Sequence, residues 1–140
     1  MGRPKLHLPF ARSTILGTTV AVARRAGCRV IVVGRPGDEF LAGLSADGVL
    51  VARNPRPDEG MISTLRAGLG FVLASRFFFL PGDMPLVAPT TWELLLGTYS
   101  DGPVIPTFRG RRGHPVLMPS SLIPAILALE AGLPLKVLIT

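Results

Sequence analysis

The run Phe77-Phe78-Phe79-Leu80-Pro81-Gly82-Asp83-Met84-Pro85 constrains this chain more than any other segment. Three aromatics and a leucine in succession read as a short, fully buried strand. The strand must stop at Pro81-Gly82, and a single carboxylate, Asp83, stands just past its end. In an open α/β sheet the carboxyl ends of the strands are where ligands bind. A carboxylate placed there suits Mg²⁺, which takes one or two carboxylates together with water and phosphate oxygens. The same residues also suit a plain turn followed by a helix cap.

The rest of the sequence supplies the sheet such a strand needs. Arg29 to Val33 and Gly48 to Ala52 are β-rich runs, and Arg76 to Leu80 is the third. Helical stretches alternate with them. One runs from a Ser13 or Thr14 cap to about Ala26 and ends at Gly27. A short one covers Glu39 to Leu44. Another spans Met61 to Ala74, with Ile62, Leu65, Leu69 and Val72 on one face. Thr91 to Leu96 and Leu122 to Ala131 complete the set. Val104-Ile105 and Pro115 to Met118 read as short strands, with a hairpin around Arg109 to Gly113. This βαβα order predicts a doubly wound, mostly parallel α/β sheet. At 140 residues the chain suits one domain, residues 1–140.

Four clusters of chemically useful residues fall on predicted loops. Gly2-Arg3-Pro4-Lys5 offers two cations beside a stiff turn, and lysine is a compact point charge suited to phosphate. Asn54-Pro55 precedes Gly60-Met61-Ile62-Ser63, where a glycine at a helix start opens backbone N–H groups to an anion or base edge. Asp83 is the third. The fourth is Gly110-Arg111-Arg112-Gly113-His114-Pro115, a basic glycine-rich turn ending in histidine. Each also has a plain structural reading, as solvated charge, helix cap or hairpin tip.

Charge and cysteine content narrow the class further. Fifteen Lys and Arg against nine Asp and Glu give a net charge of +6, which favours an anionic partner. The basic residues are scattered and only 6% of residues are aromatic, so a small phosphorylated ligand fits better than nucleic acid. No apolar run reaches the ~18–20 residues needed to cross a membrane, and MGRPKLHLPF lacks the apolar region of a signal peptide. The single cysteine, Cys28, allows no internal disulfide and predicts a reducing, cytoplasmic setting. It opens an apolar strand and is expected to be a buried, inert thiol.

Taken in order, MGRPKLHLPF, NPRPDEGMISTLRAGL, FFFLPGDMPLV and GRRGHPVLM resemble the MobA-like nucleotidyltransferases, in particular the molybdopterin cytidylyltransferase type. The resemblance runs from Met1 to about Glu130. It implies a Rossmann-like nucleotide-binding fold and transfer of a nucleoside monophosphate, CMP from CTP by preference, to a phosphorylated acceptor such as molybdopterin, with release of pyrophosphate. It further implies Lys5 and Asp83 as catalytic residues, with Asp83 carrying Mg²⁺. Arg3, Lys5, Asn54, Gly60 and Ser63 would lie at the nucleotide, and Gly113, His114 and Pro115 toward the acceptor. Such chemistry needs positive charge on the transferring phosphate and a positioned metal more than a protein nucleophile.

The resemblance is incomplete at both ends. Of the family's signature, roughly L-A-A-G-x-S-x-R-M-G-x-P-K, only Met1-Gly2-Arg3-Pro4-Lys5 is present, and the Gly132 to Lys136 region departs from the family's Gly-Asp-x-Gly-Ala-Arg. The expected sheet therefore lacks the family's first, central strand and its last one. Either an upstream start or a degenerate relative accounts for this. A sheet without its central strand would pair Arg29–Val33 directly with Arg76–Leu80 or leave a strand-wide gap. The gap would favour aggregation or a strand-exchanged oligomer. Two further function classes remain open: a non-catalytic remnant that binds phosphate or pterin, and a nonspecific nucleic-acid-binding module.

Overall fold

The computed structural model describes residues 5–10, 13–98, 100–130 and 132–137. Arg3 lies outside the described residues. The chain folds as two compact units. One comprises Met1–Val30, Phe78–Ser100 and Val104–Leu117; the other comprises Ile31–Phe77, Asp101–Pro103 and Met118–Thr140.

The first unit is organised on a helix. Strands β1 (Pro9–Phe10) and β2 (Ser13–Thr14) pair antiparallel and lead into α1 (Ile15–Arg25). Thr14 caps this helix, its Oγ1 accepting from the Gly17 N–H at 3.0 Å. At the other end Gly27 takes φ +87°, Cys28 N–H donates to the Ala23 carbonyl and Gly27 N–H to the Arg24 carbonyl. This pair of bonds around a left-handed glycine is the Schellman closure. Cys28 is half-buried, and burial pushes its thiol pKa up, which keeps it in the unreactive form. Leu16, Val20 and Ala23 form the buried stripe of α1.

The second unit holds the parallel pairing expected of an α/β fold. Strand β3 (Ile31–Gly34) is followed by α2 (Phe40–Ala46) and β4 (Leu50–Arg53). The two strands pair in parallel from Ile31 opposite Leu50 to Gly34 opposite Arg53. Leu41 is the knob of this crossover. It is 1% exposed, and a Cβ on Gly34 would lie 2.1 Å from its Cδ1. Helix α3 (Met61–Leu69) packs on β3, where a Cβ on Gly68 would lie 2.9 Å from Val33 Cγ2. The helix stops at Leu69, short of the predicted Ala74. Gly68 and Gly70 weaken its last turn, and Phe71 and Val72 donate instead to the carbonyls of Gly68 and Leu69, three residues back.

Strand β5 (Arg76–Phe79) is followed by helix α4 (Pro89–Gly97), the hairpin β6 (Thr107–Phe108) to β7 (Arg111–Arg112), and strand β8 (Val116–Pro119). Strands β5 and β8 pair in a two-stranded sheet. Phe77, Phe78 and Phe79 are half-buried rather than fully buried, because β8 is the only ladder partner of β5 among the described residues. Phe78 makes an edge-to-face contact with buried Trp92 of α4, ring centres 4.8 Å apart. Among the described residues β3 and β5 share no ladder, so the direct pairing considered for these strands does not occur. Lys5–His7 forms a 3₁₀ turn rather than a strand. The last α-helix among the described residues, α5 (Ile123–Ala128), is shorter than the predicted 122–131, and its Ile126 is fully buried. No helix among the described residues is long and apolar enough to cross a membrane.

The close approach of Gly34 to Leu41 makes the two positions interdependent. Leu41→Ala should cost about 2–5 kcal/mol as a cavity opens. Gly34→Ala should also destabilise, because the buried Leu41 must shift to admit the new methyl. The double variant should lose less than the sum, with a coupling of about 0.5–3 kcal/mol, since the new methyl fills part of the cavity. Urea unfolding of the four proteins reads this out; strict additivity would show that the two side chains do not compete for the same space.

Candidate functional site

Beyond Phe79 the chain runs through Leu80 and Pro81 to Gly82, which lies against α1. A Cβ on Gly82 would be 3.0 Å from Leu16 Cδ1 and 3.5 Å from Leu6 Cδ1, so glycine is what lets the backbone approach this closely. The Thr19 hydroxyl, 5% exposed on α1, lies 2.9 Å from the Gly82 carbonyl and 2.9 Å from that of Ile15, so its one proton can serve either. The strand end is thereby pinned to the helix.

Pinning Gly82 sets the position of Asp83. Its Oδ2 meets Lys5 Nζ at 2.6 Å. Lys5 stands at the start of the 3₁₀ turn that packs on the same helix; Leu8 N–H donates to the Lys5 carbonyl and Ile15 N–H to that of Leu8. The pair is open to solvent, with the Lys5 side chain 68% and the Asp83 side chain 35% exposed. The hydrogen bond from Lys5 holds the Asp83 carboxyl below its usual range, against a smaller opposing effect of burial.

The Gly113-His114-Pro115 turn belongs to the same unit. Gly113 N–H donates to the Pro106 carbonyl at 2.8 Å, closing the base of the β6–β7 hairpin. His114 stands edge-on to Phe79, ring centres 5.9 Å apart, and Pro115 is fully buried. The His114–Pro115 peptide is cis. Burial lowers the His114 pKa below its ordinary 6.5, and the Asp83 charge works in the opposite direction. Lys5, Asp83 and His114 thus form one electrostatic group at the end of β5.

In the second unit Asn54, Gly60 and Ser63 form a different kind of arrangement. Asn54 is 3% exposed. Its Nδ2 donates to Ser63 Oγ at 2.9 Å and Thr64 Oγ1 at 3.1 Å, and its Oδ1 accepts from the Arg56 N–H at 2.9 Å. Ser63 Oγ in turn lies 2.8 Å from the Arg56 carbonyl and 2.7 Å from that of Gly60. Both side chains spend their hydrogen-bonding capacity on shaping the loop from Asn54 to Gly60. Gly60, at φ +87°, precedes α3 without any side-chain cap, so what this loop offers is mainly backbone. Thr19 and Thr64 are structural partners that sequence reasoning missed. Each is a threonine within a helix, and nothing in the sequence distinguishes it from a solvated one.

The donor set suits a metal that relies on its substrate for most ligands. Asp83 offers a carboxylate beside a lysine, and the described residues contain no cluster of three or more His, Cys, Asp or Glu side chains. Zinc in structural or catalytic sites takes three or four protein ligands. Mg²⁺ or Mn²⁺ held against phosphates needs one or two carboxylates, which Asp83 fits.

Comparison with known proteins gives the family and the fold. The sequence model of the MobA-like NTP transferase domain matches residues 1–139, so the chain belongs to that family. It is 28% identical over 120 residues to the molybdenum cofactor cytidylyltransferase of Escherichia coli (strain K12), covering 84% of this chain and 62% of that protein. The crystal structure of Rv0371c from Mycobacterium tuberculosis H37Rv superposes with a TM-score of 0.78 at 26% identity, over 94% of this chain and 71% of that one. A second structure, of Rv0371C in complex with manganese, gives a TM-score of 0.73 at 27% identity, over 94% and 73% of the two chains. The chain shares the α/β fold of these structures. The chain spans somewhat under two thirds of the curated relative's length.

Two measurements test the electrostatic group. Because His114 titrates below its ordinary value, the unfolded chain takes up its proton first as pH falls. Stability contributed by neutral His114 should be complete above pH ~6.5 and decline toward the lower folded pKa. In an NMR titration its midpoint should lie below 6.5, the ordinary value. Asp83→Asn should move that midpoint further down; a midpoint that stayed put or rose would show that the carboxylate does not act on the ring. Separately, Thr19→Val leaves the Gly82 carbonyl without its partner and should cost about 1–3 kcal/mol. Calorimetry should show a lowered Tm; an unchanged Tm would mean that the hydroxyl does not hold the strand end.

Proposed function

We propose that this protein is a divalent-metal-dependent nucleotidyltransferase. It would move CMP, with CTP the favoured donor, onto a phosphorylated acceptor of the molybdopterin type and release pyrophosphate. The observation that carries this reading is the Lys5–Asp83 pair at the carboxyl end of β5, in a chain of the MobA-like family. Support for the base and acceptor comes from the E. coli relative, and for the ion from the manganese complex of Rv0371C.

In the reaction an acceptor phosphate oxygen attacks the α-phosphorus of the nucleotide. The bond from that phosphorus to the bridging oxygen breaks, and pyrophosphate leaves with its electron pair. Asp83 would hold Mg²⁺ or Mn²⁺, which when bound neutralises charge on the phosphates. Lys5, exposed and already beside Asp83, can turn its ammonium to triphosphate oxygens as charge develops there. Arg3, two residues before it, would add a second cation. Asn54 and Ser63 would act at the nucleotide through the loop they shape, with Gly60 presenting backbone. His114 is neutral near pH 7, so with Gly113 and Pro115 it can meet the acceptor without competing for the metal's anions.

Asp83→Asn should lower Mg²⁺-dependent pyrophosphate release from CTP by about 100-fold or more. Lys5→Gln should lower kcat/KM for CTP as well. Comparing CTP, GTP and ATP with the same acceptor tests the donor. Wild-type rates in Asp83→Asn would sink the assignment of the metal to this carboxylate.

A further inference from the structure

The β6–β7 hairpin closes in a two-residue turn. Thr107 pairs with Arg112 and Phe108 with Arg111, and only Arg109 and Gly110 connect the strands. Both take positive φ, +50° and +76°, as a tight hairpin turn of this length demands. Glycine does so freely. An arginine does so rarely, since the left-handed region suits glycine, asparagine and aspartate. A strained residue in an exposed turn points to a role for its side chain.

The side chains the hairpin displays are of one chemical kind. Phe108 is 73% exposed, and the Arg109 guanidinium lies over its ring, 5.1 Å from the centroid. Arg111 is its directly paired neighbour across the ladder and so stands on the same face. Arg109, Arg111 and Arg112 are all exposed, and none forms an ion pair with a carboxylate among the described residues. An aromatic face and a guanidinium plane both stack on flat heterocycles, and unpaired guanidinium groups bind phosphate bidentately. The base of the hairpin is tied by the Gly113–Pro106 bond, one residue before His114.

We propose that the Phe108–Arg109–Arg111 face is a recognition arm for the acceptor, stacking its planar ring and engaging its phosphate. This rests on the transferase reading above and extends it to residues outside the Lys5–Asp83 pair. The ligand class is a phosphorylated planar heterocycle, in contrast to a triphosphate, for which charge alone would suffice. An extended nucleic acid would instead need a longer basic track than one hairpin provides.

The test uses a fluorescent pterin bearing a phosphomonoester, with the unphosphorylated pterin, inorganic phosphate and a single-stranded oligonucleotide as controls. Quenching should show that the phosphorylated pterin binds the wild-type protein more tightly than any control. Phe108→Ala and the double variant Arg109→Gln/Arg111→Gln should each weaken that binding by about 10-fold. Affinity for CTP, measured calorimetrically, should stay within about twofold, which also reports that the variants are folded. Failure of the wild type to bind the probe, unchanged binding by the variants, or equal affinity for the oligonucleotide would each overturn the arm. Probe binding that depends on the arm while no CTP is consumed would uphold the arm and overturn the transferase reading.

Discussion

The contact between Gly82 and helix α1 is the constraint on which the rest of the first unit depends. Two features make it possible. Gly82 has no Cβ to meet Leu16, and Thr19 turns a buried hydroxyl to the Gly82 carbonyl. The helix that receives this contact is fixed at both ends, by the Thr14 cap and by the closure around Gly27. It also carries the 3₁₀ turn that brings Lys5. Both members of the Lys5–Asp83 pair are therefore positioned by one rigid element. The pair contributes little by itself, because exposed ion pairs are worth ~0–1 kcal/mol. Packing places the charges, and the charges are left free to act.

The second unit uses the same device with different residues. A buried amide and a buried hydroxyl, Asn54 and Ser63, collect the loop's backbone groups, so that the chain before α3 holds one shape. A buried polar network of this kind is costly if any partner is removed and rigid when all are present. In both units buried polar side chains hold backbone, and in the first the exposed Lys5–Asp83 pair stands beside them.

Charge is distributed to match. The chain carries a net charge of +6. In the first unit Lys5 stands beside the single carboxylate at the end of β5, and the hairpin arginines have no carboxylate partners among the described residues. An anion approaching this unit meets cations at Lys5 and along the hairpin. Burial lowers the His114 pKa and outweighs the opposing pull of Asp83. Burial and charge thus oppose each other on the one titratable ring in the group.

Much of this protein was legible in its residues. The strand–Pro-Gly–Asp pattern, the βαβ alternation and the Thr14 and Gly27 helix boundaries are local signals, fixed by backbone sterics and side-chain periodicity. The four ordered motifs pointed to the family because their residue types and order are read directly along the chain. Other features were decided only in the folded chain. The half-buried state of the Phe77–Phe79 run depends on how many strands flank it, and the early end of α3 on two glycines and a pair of tightened hydrogen bonds. The roles of Thr19 and Thr64 depend on carbonyls and amides that sequence cannot place beside them. The pairing of Lys5 with Asp83, 78 positions apart, is of the same sort. Sequence specifies which groups exist and which local shapes they allow. Which of them meet is set by the packing of elements distant in the chain, because contact energies act through space and not along the backbone.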